Sequence, residues 1–384
     1  MRIALVSDCY LPRLGGIELH LHDLAAQLRL AGHSVAVFTL TGSAEPDQGP
    51  VFRLPAIGDI PLPEAIDRLH RELCSGAYDV VHAHTSFFSP LAWSAARIGA
   101  AAGVPTVLTL HSLPAARGML APRLLAALDA RLGRRVSWTA VSEVVAASLR
   151  GTLPGRPVEI LHNGIDPVPW RRIGHGDSTL TVVSTMRLVR RKRPLALLRV
   201  LQDVRSQLPD QLRLRAVIIG SGPKAPALAR AVERRGLADW VDLPGRLRRE
   251  EIQRLYADAD IFLAPARLES FGVAALEARC AGLVVVAMGS GGVGEFVRPG
   301  LEGFLVDSDP EMARVTGDLL KDPVRLHRMQ AHNRRTASGM AWQTVIGRHL
   351  QLYRQLAPQP ALSASVLTSH VMDFEAYHPT EPAR

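Results

Sequence analysis

Short apolar runs alternate with amphipathic stretches along most of the chain. In the first half, Ile3–Asp8, Val35–Leu40, Asp79–His82, Thr106–Leu110, Trp138–Val141 and Glu159–Leu161 read as buried strands. A second set follows at Leu180–Thr185, Leu214–Ile219, Val241–Leu243, Asp260–Ala264, Leu283–Ala287 and Gly303–Val306. Ile17, Leu21, Leu24, Ala25 and Leu28 recur at helical spacing, which predicts a helix over Ile17–Ala31 closed by Gly32. Regular alternation of strand and helix implies parallel sheets with right-handed crossovers. The simplest arrangement is two doubly wound α/β domains facing a central cleft: residues 1–166, a linker at 167–176 marked by Pro167 and Pro169, and residues 177–340. Trp342, Val345, Ile346, Leu350, Tyr353 and Leu356 share one face of a helix over 341–357, expected to cross back over the first domain. Residues 358–384, rich in proline and mixed polar groups, read as a flexible tail.

The 384 residues suffice for two domains with separate cores. Cys9, Cys74 and Cys280 are few and far apart, which argues for a reducing compartment rather than a disulfide scaffold. The chain shows neither a signal-peptide pattern nor an apolar run approaching the roughly 20 residues of a membrane span, so a cytoplasmic location is expected. The net charge of +9 is lopsided: residues 1–170 hold 14 Arg, no Lys and 14 Asp plus Glu, so the surplus lies entirely beyond them. A basic protein invites a nucleic-acid reading, but recognition-helix, zinc and aromatic single-strand signatures are missing. Positive charge confined to one domain fits a diphosphate better.

The richest stretch is Arg267-Leu-Glu-Ser-Phe-Gly-Val-Ala-Ala-Leu-Glu-Ala-Arg279. Glu269 lies beyond the carboxyl end of a strand, where open α/β sheets bind ligands. Gly272 lets backbone approach closely, and the free N–H groups of the helix it opens suit a phosphate. Glu277 stands further along that helix, and carboxylates take paired hydrogen bonds from vicinal hydroxyls. The bland alternative is two solvated glutamates. Gly15-Gly16 sits between a strand and a helix as a phosphate-binding turn would, but lacks the G-x-G-x-x-G dinucleotide fingerprint and also fits a tight structural turn. Arg187 and Lys192 follow another strand and can neutralise a departing diphosphate, whereas Arg190, Arg191 and Arg193 read as a solvated basic face. Gly220, in Gly220-Ser-Gly-Pro223, borders a nucleotide or makes a turn. His111 ends a strand towards the cleft, either as a functional ring or as a satisfied structural one. His82 and His84 share one strand face; with no carboxylate or thiolate beside them a metal site is not expected. Asp258 and Asp260 end a helix and begin a buried strand, and are likewise set aside as metal ligands.

Taken in order, these segments resemble the retaining glycosyltransferases of family 4. Their signature is a glutamate, a Phe-Gly and a second glutamate after seven intervening residues, matched here from Glu269 to Glu277. Asp8-Cys-Tyr-Leu-Pro-Arg-Leu-Gly-Gly-Ile-Glu-Leu-His20 resembles the family's amino-terminal loop, and Arg187 and Lys192 its Arg/Lys pair. Leu283 departs from the usual proline. The resemblance spans roughly residues 2–350. The segments His82–Ser89 and Thr109–Leu113 look most like the catalytic subunits of phosphatidylinositol N-acetylglucosaminyltransferases and their bacterial relatives.

What the resemblance implies is a GT-B fold and transfer of a hexosyl unit with retention of configuration, without a metal or other cofactor. The donor is a nucleoside diphosphate sugar, UDP-N-acetylglucosamine favoured over GDP-sugars. Glu277 would hold ribose and Glu269 the donor hexose. Arg187 and Lys192 would hold the diphosphate, Gly15, Gly16 and Gly220 would border the donor, and Ser270, Phe271, Gly272 and Val273 would line it. His111 would contact the hexose or stabilise the transition state, and with Glu269, Arg187 and Lys192 would make up the catalytic set. His82, His84 and Glu18 would lie on the acceptor side. The acceptor is a lipid-linked, cyclitol, sugar or natural-product hydroxyl. The segment Arg117–Arg135 reads either as a core helix with a wet face or as an amphipathic surface for peripheral membrane contact. A sugar-nucleotide epimerase and a non-catalytic nucleotide-sugar binder share this architecture; a Rossmann oxidoreductase is undercut by the missing fingerprint.

Overall fold

A computed structural model describes residues 1–13, 15–44, 46–47, 49–113, 120–171, 179–336 and 338–357. The expected tail at 358–384, linker residues 172–176 and Arg117–Met119 lie outside these.

The first half runs β1 (Arg2–Ser7), α1 (Gly16–Leu30), β2 (Ser34–Thr39), β3 (Val51–Arg53), β4 (Ala56–Ile57), β5 (Ile60–Pro61), α2 (Pro63–Cys74), β6 (Val80–Thr85), α3 (Pro90–Ala101), β7 (Thr106–Leu110), α4 (Ala121–Leu132), β8 (Val136–Ala140), α5 (Glu143–Thr152) and β9 (Val158–Ile160). The second runs β10 (Leu180–Thr185), α6 (Pro194–Ser206), β11 (Leu214–Ile219), α7 (Ala225–Arg234), β12 (Val241–Gly245), α8 (Arg249–Ala257), β13 (Ile261–Ala264), α9 (Val273–Ala281), β14 (Val284–Met288), β15 (Gly303–Val306), α10 (Asp309–Lys321), α11 (Pro323–Arg335) and α12 (Trp342–Leu356). The first sheet has the order β3-β2-β1-β6-β7-β8-β9 and the second β12-β11-β10-β13-β14-β15, every pair parallel, with β4-β5 a separate antiparallel hairpin.

Helices on both faces explain why the strands read as continuous apolar runs. Along β1, Ala4 and Val6 belong to the same core as Phe38, Leu69 and Trp138, while Ile3 and Leu5 belong to the core on the other face with Leu21, Leu24 and Leu28 of α1. The second domain closes its core around Val182, Leu201, Ile218, Val286 and Met312.

The chain's last described helix returns to the first domain as expected. Trp342, Val345, Ile346, Leu350 and Tyr353 join the α1 side of the first core. Burying side chains of this kind is worth roughly 1.5–3 kcal/mol each. Ile165 and Met340–Trp342 exchange backbone hydrogen bonds at the entry to α12. Gly164 allows this crossing, because a Cβ there would stand 2.3 Å from the Trp342 ring.

Candidate active site

The groups on the second domain come from loops at the carboxyl ends of β10, β11 and β13. Leu188 donates its N–H to Ser221 O at 2.8 Å, and Met186 donates to Ile219 O at 3.0 Å. Those contacts bring the backbones so close that a Cβ on Gly220 would lie 1.9 Å from Met186 O. Gly220, at φ +137°, is therefore required by packing, and the loop it supports carries Arg187, which is exposed. Arg193 is not part of a solvated face: it is half-buried, bonds Asp309 at 2.7 and 2.8 Å and donates to Pro265 O at 2.9 Å. It ties the turn holding Lys192 to the end of β13. Lys192 forms an ion pair with Glu269, so two groups 77 residues apart in sequence meet at one point.

Gly272, at φ +96°, opens α9. Among the described residues the N–H groups of Phe271, Gly272 and Val273 find no hydrogen-bond acceptor, leaving a positively polarised helix end beside Glu269. The segment Gly289-Ser-Gly-Gly-Val-Gly-Glu295 packs against it: Gly292 donates to Glu269 O at 2.9 Å, and a Cβ on Gly292 would stand 2.3 Å from Ser270 O. Sequence reasoning passed over this loop, although a glycine cluster directly after a buried strand is a legible signal.

Glu277 is buried, and burial pushes its carboxyl up to about 7; Arg249 only partly offsets this and Asp23 adds to it. Arg249, at the start of α8, lies 3.6 Å from Glu277 and 3.1 Å from Asp23 on α1, with its guanidinium 5.9 Å from the centre of the Trp170 ring. It spans the two domains. A second bridge is Glu295, which accepts the Glu143 N–H at the start of α5 at 2.6 Å and pairs with His162 at 2.9 Å. Arg348 donates to His162 Nδ1 at 3.1 Å, so the proton on His162 Nε2 points to Glu295. Ser142, after β8, donates to Ser270 O at 2.5 Å. The carboxyl ends of the first sheet thus face the loop bearing Glu269.

On that side Gly15 is packed against Glu18, where a Cβ would meet the carboxylate at 2.3 Å, whereas Gly16 opens onto free space. Glu18 is buried and pairs with Arg13 at 3.3 Å. His82 and His84 do not line the cleft surface: they are 0% and 1% exposed. His82 bonds Tyr353 OH and Thr109 Oγ1, both at 2.6 Å. His84 Nδ1 meets His111 Nε2 at 3.0 Å, and His111 retains 8% exposure. His20, unnoticed in the sequence, joins them, and one ring nitrogen each from His20, His84 and His111 lies within 4.8 Å of the others. Three neutral imidazoles are a ligand set that zinc accepts, but here the His84–His111 contact engages one nitrogen of each of those two rings.

Two parallel-sheet domains, with paired charges and a free helix end between them, define a GT-B glycosyltransferase. The family described as "Glycosyltransferase Family 4" matches residues 14–168 and "Glycosyl transferases group 1" residues 171–336, and the chain belongs to this family. It is 30% identical over 389 residues to D-inositol 3-phosphate glycosyltransferase 1 of Catenulispora acidiphila, covering 88% of this chain and 90% of that one. A Homo sapiens subunit of phosphatidylinositol N-acetylglucosaminyltransferase is 30% identical over 320 residues, covering 76% of this chain and 63% of that protein. Among solved structures, Anabaena Alr3699/HepE in complex with UDP and glucose shares the fold, with a TM-score of 0.74 and 21% identity over 92% of this chain and 100% of that one.

Proposed function

We propose that this hexosyltransferase moves N-acetylglucosamine from UDP-N-acetylglucosamine to a hydroxyl of a cyclitol, free or lipid-linked, with retention of configuration. The observation that carries the reading is the meeting of Lys192, Glu269 and the open amino end of α9, with Glu277 on the same helix. The relatives named for inositol 3-phosphate and phosphatidylinositol support the acceptor class.

In this account Lys192 leaves Glu269 when donor arrives and joins Arg187 on the diphosphate. Glu269 then takes hexose hydroxyls, Glu277 the ribose diol, and the Phe271–Val273 amides the donor's oxygens. The C1–O bond to phosphate breaks as the acceptor oxygen bonds C1 from the same face. The acceptor proton passes to the departing phosphate oxygen, yielding UDP. Preorganised cations stabilise the charge gathering there. Arg187 and Lys192 supply the charge that a divalent cation would, so turnover should survive EDTA.

If the acceptor is lipid-linked, α4 offers a peripheral membrane contact at the cytoplasmic face. Leu120 and Leu124 are 73% and 51% exposed beside Arg123, while Ala121, Leu125 and Leu132 pack inward. No helix among the described residues is long and apolar enough to cross a membrane. Charge reversal at Arg123, Arg131, Arg134 and Arg135 should abolish binding to anionic liposomes; unchanged binding removes the membrane contact.

The test is UDP release from UDP-N-acetylglucosamine with inositol, inositol 3-phosphate or phosphatidylinositol, with product linkage read by NMR. An α-linked product formed only with acceptor supports the reading. Conversion of the donor without acceptor would indicate an epimerase, and donor binding without turnover a binding protein.

A further inference from the structure

Beneath the carboxyl ends of β6 and β7 the imidazoles form a continuous layer. The ring centres of His82 and His84 are 4.1 Å apart, those of His84 and His111 5.3 Å, and those of His111 and His20 5.5 Å. His20 in turn stacks on Trp342 at 5.6 Å. Burial holds His82, His84 and His20 well below the ordinary histidine range and brings His111 down to about 3. At neutral pH each ring is neutral and carries a single N–H.

A single proton per ring makes the 3.0 Å contact between His84 Nδ1 and His111 Nε2 directional. If His111 donated from Nε2, the proton of His84 would have to sit on its own Nε2. That atom is buried with no partner among the described residues, so a bare N–H would be orphaned there. If His84 donates from Nδ1, only a lone pair is left at that position. Orphaned buried N–H groups are rarer than under-satisfied acceptors. The second arrangement forces the proton of His111 onto Nδ1, which, unlike His84 Nε2, is not among the sealed unpartnered atoms, His111 retaining 8% exposure against 1% for His84.

We infer that His84 is a positioning residue that fixes His111 as its Nδ1–H tautomer, so that His111 meets the ligand in the cleft as a neutral hydrogen-bond donor. The consequence for chemistry rests on the proposed reading that His111 faces the donor sugar. Such a ring donates to a hexose hydroxyl and has no free lone pair with which to take the acceptor proton. The proton is left to the departing phosphate, as same-face attack requires.

The test uses the full-length protein with 15N-labelled histidine, the His111 resonances being assigned by their loss in His111→Ala. Two-bond 1H–15N spectra distinguish the tautomers. Wild type and His84→Asn, whose amide N–H replaces Nδ1–H, should show His111 protonated on Nδ1. His84→Asp, which only accepts, should move the proton to Nε2 and lower kcat by about 10²-fold or more, with a smaller loss in His84→Asn, as expected for a wrongly set catalytic tautomer. An Nε2–H His111 in wild type, or an unchanged tautomer in a folded His84→Asp, would overturn the inference. A tautomer that flips in His84→Asp with kcat unaltered would uphold it and overturn instead the reading of His111 as a donor-sugar contact.

Discussion

The two walls of the cleft are built on opposite electrostatic plans. The second domain presents full charges that neutralise one another: Lys192 against Glu269, and Arg249 between Glu277 and Asp23. The first domain presents rings held neutral by burial: His84 bonds His111, and His82, its ring centre 4.1 Å from that of His84, bonds Thr109 and Tyr353. The Lys192–Glu269 pair, partly open to solvent, can trade one partner for a ligand at little net cost, because pairs reached by water contribute only about 1 kcal/mol. A neutral, buried network cannot be rearranged so cheaply, since every unmade hydrogen bond in it costs about 1–3 kcal/mol. Binding is thus expected to rearrange the second wall and leave the first in place.

Acid should expose the difference most strongly. Five buried histidines are involved: His20, His82 and His84 lie well below their unfolded value of about 6.5, with His111 brought to about 3 and His349 to about 4. Each folded value is depressed, so the unfolded chain binds more protons below pH 6.5. The stability these groups provide is complete above that pH and declines as pH falls towards 4, by up to about 1.4 kcal/mol per pH unit per histidine. Urea unfolding at pH 7.5 and 5.5 should show a marked loss at the lower pH, reduced in His349→Leu.

Trp342→Ala should cost about 3–5 kcal/mol in the same assay, since it empties the joint between α12, Gly164 and His20. Lys192→Ala should lower kcat by about 10²–10³-fold while changing stability by no more than about 1 kcal/mol; a large stability loss would make the Lys192–Glu269 pair a structural one.

Glu277 crosses the two plans, being a carboxyl pushed up to about 7 by burial. Its raised value means that folding favours the protonated form, a cost to stability that sets in as pH rises above about 4.5 and is complete above 7. Hydroxyl donors favour the carboxylate, so UDP affinity measured by calorimetry should strengthen by several-fold from pH 6 to 8. Glu277→Gln should flatten that profile. The smallest effect is expected from Arg249→Ala, which removes the bridge to Asp23 and should widen the domain angle seen by small-angle scattering with little loss of melting temperature.

The same contrast governs what the sequence disclosed. Apolar runs enclosed between helices placed the strands of both sheets within a residue or two in most cases, because burial on both faces leaves little choice of residue. β6 runs on to Thr85, beyond the expected end at His82, since His82 and His84 look polar in sequence but are buried as neutral rings. β3 and the β4-β5 hairpin, three and two residues long, are too short to show a period. Glu269, Phe271, Gly272 and Glu277 were legible because one turn and one helix hold them. Asp23 with Arg249 and His162 with Glu295 were not, since 226 and 133 residues separate the partners and only the docked domains bring them together.

The central claim, a nucleotide-sugar site between unlike walls, is tested most directly by titrating UDP and UDP-N-acetylglucosamine into wild type, Lys192→Ala and Glu277→Ala by calorimetry. Saturable binding to wild type that falls at least about tenfold in both variants is the expected result. Binding that is absent from wild type, or equal in all three proteins, would contradict it.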